Sequence, residues 1–245
     1  MKRMHIHVML FLAMVLAGTG ALFAQGAVIK DNHMKYNGKT YFRAGSEDVQ
    51  IGSYGEKKTP LTKSNYLEVQ DRIPTPKLKI REALIVDIDF KQSTKTDIEA
   101  NINKSVVFKG SVSTAYEDLR NDKLKLVKLV IENEDIKDAI NSSPKVIEDL
   151  KVYGNDSRVC HQVFIVLEAS LARTVTTSTK FDVSGTDGSL KISVSGGTSK
   201  STTAEITLSA GSTFAYGIVK LDWDANQKKN WKKVVKATDD QWSLN

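Results

Sequence analysis

The run VFIVL at residues 163–167 is the strongest single constraint on what this chain can fold into. It is the most apolar stretch beyond the N-terminal leader, too short for a typical helix and rich in β-branched side chains. A central strand buried on both faces is therefore expected. Cys160 is the only cysteine, so no internal disulfide can form, and stability has to come from a hydrophobic core.

The chain opens MKRMHIHVMLFLAMVLAGTGALFAQG, with Lys2 and Arg3 first, an almost unbroken apolar core over residues 8–17, and a small-residue exit over 18–24. That order predicts a secretory signal peptide over residues 1–24, cleaved near Ala21 or Ala24, and a secreted or periplasmic product. About ten strongly apolar residues fall short of the roughly 20 that a helix needs to span a bilayer. Loss of Lys2 and Arg3 lowers the formal net charge of +6 by two, leaving a mildly basic chain suited to anionic surfaces. No long Pro/Gly/Ser linker divides residues 25–245, which predicts one domain.

Along that domain, Asn37-Gly38 between aromatic-bearing arms predicts a type I′ hairpin. Residues 43–79, with Pro60, Pro74 and Pro76, read as irregular exposed chain with short edge strands. Strands are expected within residues 77–90, 104–116 and 123–131. A short helix near residues 134–140 and a second one, capped by Ser143 with Pro144 at its first position and stopped by Gly154, come next. From residue 173 the composition shifts to Thr, Ser, Gly and Lys. Val175, Thr177, Thr179, Phe181 and Val183 fall on one face at period two, and Leu190, Ile192 and Val194 mirror them after the Gly-Thr-Asp-Gly bend. The expectation is an amphipathic hairpin continuous with the VFIVL strand in a single pleated layer. Helices that flank strands without regular alternation give the class: α+β with a twisted, mostly antiparallel sheet and flanking helices.

Signals for bond chemistry are weak. Asp87 and Asp89 fall on one face of an extended chain, about 6.6 Å apart. The pair can be read as acid and base, as Ca²⁺ ligands, or as the solvated face opposite Val86, Ile88 and Phe90; no third ligand or EF-hand loop accompanies it. Cys160 and His161 are adjacent, but strand neighbours point to opposite faces, which predicts a buried cysteine beside a rim histidine and not a nucleophilic dyad. No zinc-ligand spacing, phosphate loop or dinucleotide fingerprint occurs. The expectation is a protein that is not an enzyme and carries no cofactor. Lys228, Lys229, Trp231, Lys232, Lys233 and Lys236 in KKNWKKVVK place one aromatic among basic side chains. On a short helix this suits an anionic bilayer interface; the other reading is a surface helix packing its tryptophan on the sheet.

Several pieces then follow one another: KLVKLVIENEDIKDAI, SPKVIEDLKVYGNDSRV, VFIVLEASLARTVTTST, a Gly/Ser/Lys hairpin, and TLSAGSTFAYGIVKL. This succession, from Lys123 to Trp231, resembles the second half of the gasdermin pore-forming domain. Val163, Phe164, Ile165, Val166, Leu167 and Glu168 match its V-Y-V-V-T-E strand, and residues 207–216 its T-I-P-x-G-S-x-L-A-F pattern. The resemblance implies a gasdermin-like sheet whose hairpins lengthen on membranes and close, as oligomers, into a barrel. Closure is a physical requirement, because open strand edges in lipid leave backbone groups unpaired.

It further implies that residues 174–199 insert, with residues 93–116 as a second inserting hairpin. Phe181, Val183, Leu190, Ile192 and Val194 would meet lipid, and the 228–236 segment headgroups. The implied partners are an anionic membrane and further copies of the chain, with no nucleic acid. Residues 25–122 carry no counterpart of the family's lipid-binding first helix. The alternative is a periplasmic or extracellular β-rich binding or structural protein that never inserts, with the hairpin in water.

Overall fold

The computed structural model describes residues 26–61, 64–99, 117, 120–121, 125–167, 180–186, 189–195, 204–208, 212–225 and 230–241. The expected leader and the strand expected at 104–116 lie outside them.

The N-terminal strands are β1 (Val28–Ile29), β2 (His33–Tyr36), β3 (Lys39–Phe42), β4 (Ser53–Lys58), β5 (Tyr66–Arg72) and β6 (Ile80–Val86). Helix α1 (Lys95–Glu99), strand β7 (Lys125–Ile131) and helices α2 (Asn133–Asn141) and α3 (Pro144–Tyr153) come next. The remaining strands are β8 (Ser157–Leu167), β9 (Lys180–Thr186), β10 (Ser189–Ser195), β11 (Ala204–Leu208), β12 (Thr213–Trp223) and β13 (Val234–Asp240). Among the described residues these strands make a ten-stranded sheet and a separate three-stranded one, with every strand pairing antiparallel.

Strand β8 organises the large sheet. Every residue of it is buried, as VFIVL requires. One edge pairs with β12, and the other is shared by β7 along its C-terminal half and β4 at its N-terminal end. On one face Val159, Val163, Ile165 and Leu167 join the core formed with Ile136, Ile140, Val146 and Leu150 of α2 and α3. On the other, Phe164 and Val166 meet Ile29, Met34, Tyr41, Ile98 and Phe214. A strand with cores on both sides loses almost no apolar surface to water, which explains the unbroken apolar run.

Local chemistry explains several boundaries. Asn37 and Gly38 take φ 48° and 72°, closing the expected two-residue hairpin between β2 and β3. Helix α3 begins at Pro144 and ends at Gly154 with φ 63°, also as expected. Ser143 sits at its N-cap, but the hydroxyl donates back to the Ala139 carbonyl at 2.9 Å and accepts from Lys77 at 2.8 Å. Tyr216, fully buried and stacked on Phe42, donates to the Ala44 carbonyl at 2.8 Å and accepts from the Leu67 amide at 2.9 Å. One phenol thus ties β12 to β5 and to the loop after β3.

Three expectations are corrected. Residues 43–79 are not merely edge chain, because β4 lies between β5 and β8. Its residues read as loop because only Tyr54 is a large apolar side chain, and the strand is held by pairing on both edges. Within the expected 93–116 hairpin, residues 95–99 are helical: Thr94 Oγ1 accepts from the Asp97 amide at 3.1 Å, while the Thr94 amide donates to the Asp97 carboxylate at 3.3 Å. That reciprocal capping box starts a helix. The third correction concerns the large apolar hairpin. Strands β9 and β10 do pair, but among the described residues they join β11 in their own sheet and are not hydrogen-bonded to β8. Strand β9 instead lies alongside β6 and the turn at Thr75–Lys77.

The β4–β5 pairing contains a tight contact that fixes one residue. A Cβ at Gly55 would sit 1.9 Å from the Glu68 carbonyl oxygen, beside the register shift between Tyr54 and Gly55. Gly55→Ala should cost about 2–3 kcal/mol in urea unfolding. Gly38→Ala, with positive φ but open space around it, should cost about 1 kcal/mol. Equal losses at the two sites would contradict the contact.

Candidate functional site

The sheet sends out two long segments from one end. Val86 at the end of β6 faces Leu126 at the start of β7, Lys125 faces Leu167 at the end of β8, and Ile165 faces Thr213 at the start of β12. Strands β6, β7, β8 and β12 are thus consecutive neighbours. Residues 87–124 and 168–212, which connect them in pairs, start and finish at the same end of these strands, and the described part of the first, residues 87–99, folds back onto the sheet, with Asp87 and Asp89 bonded to Ala27 and Ile98 buried.

The second excursion contains the three-stranded sheet. Its registers pair Phe181 with Val194, Val183 with Ile192, and Gly185 with Leu190. Directly opposed residues of an antiparallel pair share a face, so Phe181, Val183, Leu190, Ile192 and Val194 occupy one face, as expected from period two. Positions 204, 206 and 208 join them through β10–β11 pairing. Thr186 faces Ser189, so the bend is shorter than Gly-Thr-Asp-Gly: Gly185 and Thr186 are in strand, and only residues 187–188 lie between the paired ends. Val175, Thr177 and Thr179 lie outside the described residues.

From Trp231 onward the basic segment is not the expected helix. Residues 231–233 carry no regular structure and β13 begins at Val234. Trp231 is buried, stacked on Trp223 with ring centroids 4.7 Å apart, and its indole N–H donates to the Ala225 carbonyl at 2.6 Å. It packs on the sheet and is not presented to a membrane in this conformation. Lys232, Lys233 and Lys236 are exposed, while Lys228 and Lys229 lie outside the described residues. Asp224 organises the turn by accepting from the Lys232 amide at 2.9 Å and the Lys233 amide at 3.3 Å.

Asp87 is exposed, and Asp89 is engaged by a turn of its own chain. Strand β6 ends at Val86, and the backbone of Asp87 and Asp89 bonds to Ala27. The Asp89 carboxylate accepts from the Lys91 and Gln92 amides and from the Gln92 side chain, the last at 2.7 Å. It stabilises a turn. Among the described residues no group of three or more His, Cys, Asp or Glu side chains could hold a metal ion.

His161 is deeply buried, contrary to a rim position. The cause is a β-bulge. Gln162 pairs with Gly217 and Cys160 with Ile218, leaving His161 as an extra residue in β8. A bulge re-aims side chains locally, and both His161 and Gln162 line a cleft on the sheet. His161 Nδ1 lies 3.2 Å from the Ile131 carbonyl, which accepts its proton, and Nε2 lies 3.6 Å from Asp239 Oδ1. Cys160 is fully buried, with its thiol 3.4 Å from the Gln162 carbonyl. Burial pushes that thiol far above its ordinary range, so it is no nucleophile.

Around this point runs a set of ion pairs that the sequence did not signal. Asp240 accepts from Arg158 Nε at 2.5 Å and from Lys57 at 3.1 Å. Asp239 accepts from Lys39 at 2.5 Å and Asn133 at 3.2 Å. Burial alone would raise the Asp239 carboxyl, yet its bonds with Lys39 and Asn133 hold it below the ordinary carboxylate range. These contacts bind the C-terminal strand β13 to β3, β4, α2 and β8. Only the adjacent Asp-Asp at 239–240 marks them in sequence, and their partners come from distant elements.

Comparison with family models, curated proteins and solved structures found no match to this chain.

Burial lowers the His161 pKa to about 4, so the ring is neutral at pH 7. The unfolded chain takes up that proton near pH 6.5, before the folded one does. Stability is therefore greatest above about pH 6.5 and declines as pH falls towards 4, by about 2 kcal/mol at pH 5. Urea midpoints at pH 7 and pH 5 test this: His161→Gln should flatten the difference, and an unchanged slope would contradict it.

Proposed function

We propose that this is an exported, gasdermin-like membrane-binding protein that forms pores by inserting the segment between β8 and β12 and oligomerising on anionic lipid. The observation that carries the reading is the common exit of two long excursions from four consecutive strands. Two adjacent connections that start and finish at one end of neighbouring strands can refold as hairpins and lengthen into a continuous wall, α1 staying behind on the sheet, and self-association then removes the open edges that lipid does not tolerate. Each excursion exceeds the two passes of about 9–11 residues that a spanning hairpin needs.

Because β9–β11 form their own sheet, insertion requires an exchange of strand partners. A hairpin continued without slip from the Ile165–Thr213 pair would set Thr186 opposite Ile192; the observed partner of Thr186 is Ser189, an offset of three residues. The β8–β12 ladder already contains two register shifts. The β9–β10 hairpin can therefore be kept almost in register during lengthening. Strand β11 cannot, because Leu208 pairs with Leu190, whereas lengthening places it against the chain that follows Leu167. In this account β11 is the strand that changes partner, the face with Phe181, Val183, Leu190, Ile192 and Val194 turns to lipid, and Lys232, Lys233 and Lys236, with Lys228 and Lys229, meet headgroups. Trp231 contributes only if its stack with Trp223 opens.

Dye release from anionic liposomes, combined with cross-links, tests this. A disulfide between Ser193→Cys and Glu205→Cys, which are β10–β11 partners, should abolish release until reduced. One between Asp182→Cys and Ser193→Cys, which are β9–β10 partners, should leave most of it. Absence of both leakage and membrane-bound oligomer from the unlinked protein, at any pH, sinks the insertion reading and leaves a β-rich protein that never inserts.

A further inference from the structure

The β8 bulge opens onto a cleft of about 380 Å³ whose lining includes Lys39, Lys128, Asn133, His161, Gln162 and Asp239. Five elements meet there: β3, β7, the start of α2, β8 and β13. Its volume lies at the lower end of ligand pockets, which run from about 300 to 1,000 Å³. The lining is mostly polar, which disfavours an apolar ligand.

Two features mark the cleft as more than a crevice between strands. Gln162 is buried, and its Oε1 has no hydrogen-bond partner in the protein. A buried acceptor without a partner carries the full penalty of its lost hydration, so its retention calls for an explanation. The bulge also sets His161 beside it. With Nδ1–H committed to the Ile131 carbonyl, Nε2 carries a lone pair and lies 3.6 Å from a carboxylate oxygen. Nε2 is therefore an acceptor for a ligand donor, while the Asp239 oxygen that it faces already accepts from Asn133 at 3.2 Å.

Charge then narrows the ligand. Lys39 and Lys128 balance Glu132 and Asp239, and His161 is neutral at pH 7. An anion that carries no proton brings only acceptors to Gln162 Oε1 and His161 Nε2, and a phosphate brings charge with at most two donors, whereas a small cation meets two lysines. A hydroxyl group both donates and accepts, so several of them on one ring can serve the acceptors together with the Lys and Asn133 donors. We propose that this cleft binds a small, uncharged, hydroxyl-rich ligand with the size and chemistry of a mono- or disaccharide. Gln162 reaches it by rotation about its terminal torsion, which is broad for an amide.

The site is independent of membrane insertion, since none of its residues belongs to the two excursions. The test titrates the intact protein with glucose, galactose, N-acetylglucosamine and their dimers, using inorganic phosphate and glycine as charged comparators. Calorimetry gives affinity, and the His161 imidazole proton resonances report occupancy. At least one neutral sugar should bind saturably and shift His161, and Gln162→Leu and Lys128→Ala should each weaken binding about tenfold or more. Gln162→Leu serves as its own folding control. Replacing an unpaired amide by an apolar group of similar shape should leave unfolding stability equal or higher. Binding of phosphate or glycine in place of sugars, binding unaffected by Gln162→Leu, or no binding by any neutral sugar would overturn the proposal.

Discussion

The pairing of β8 with β12 is the interaction on which the rest depends. Both strands are long, both contribute to the cores on the two faces of the sheet, and each divides its second edge between two partners: β7 and β4 for β8, β3 and β13 for β12. A shift of one residue in this ladder would exchange the faces of Phe164 and Ile165 and bring the wrong side chains to both cores. The helices α2 and α3, the phenol of Tyr216 and the ion pairs of Asp239 and Asp240 all attach to this ladder. Its free end is where the 168–212 excursion leaves and returns.

That arrangement divides the molecule into parts with different constraints. The helix-covered face, closed by Ile136, Ile140, Val146 and Leu150, is committed to packing. So is the opposite core, where the buried Arg43 guanidinium stacks 4.4 Å above the Phe214 ring and donates to the Asp97 and Ile98 carbonyls of α1 at 2.5 and 3.3 Å. The three-stranded sheet is joined to the rest by no ladder bonds among the described residues. Its pairing is satisfied internally, so a change of partner within it need not disturb either core.

Much of the central sheet was legible because local chemistry and tertiary outcome agree there. VFIVL reads as a doubly buried strand and is one. Asn37-Gly38 demands positive φ and has it, and Pro144 and Gly154 bound a helix. What escaped the sequence was set by partners and not by patterns. Strand β4 exposes too little apolar periodicity to be read, yet pairing on both edges makes it a strand. The Thr94–Asp97 capping box is present in the letters but lies at the start of a stretch for which the family resemblance implies a hairpin. A bulge cannot be seen in one strand alone, so the inward turn of His161 and its juxtaposition with Gln162 and Asp239 emerged only from the β8–β12 register. Period two identified β9 and β10 correctly but carries no information about which sheet they join.

The central claim is that β11 exchanges partners while the β9–β10 hairpin keeps its own. Distance measurement between paired spin labels tests it most directly. One pair, at Lys191→Cys and Thr207→Cys, spans β10 and β11; the other, at Ser184→Cys and Lys191→Cys, spans β9 and β10. On anionic vesicles the first distance should lengthen and the second should stay short. Vesicle leakage with both distances unchanged, or with the β9–β10 pair separating instead, would contradict the account.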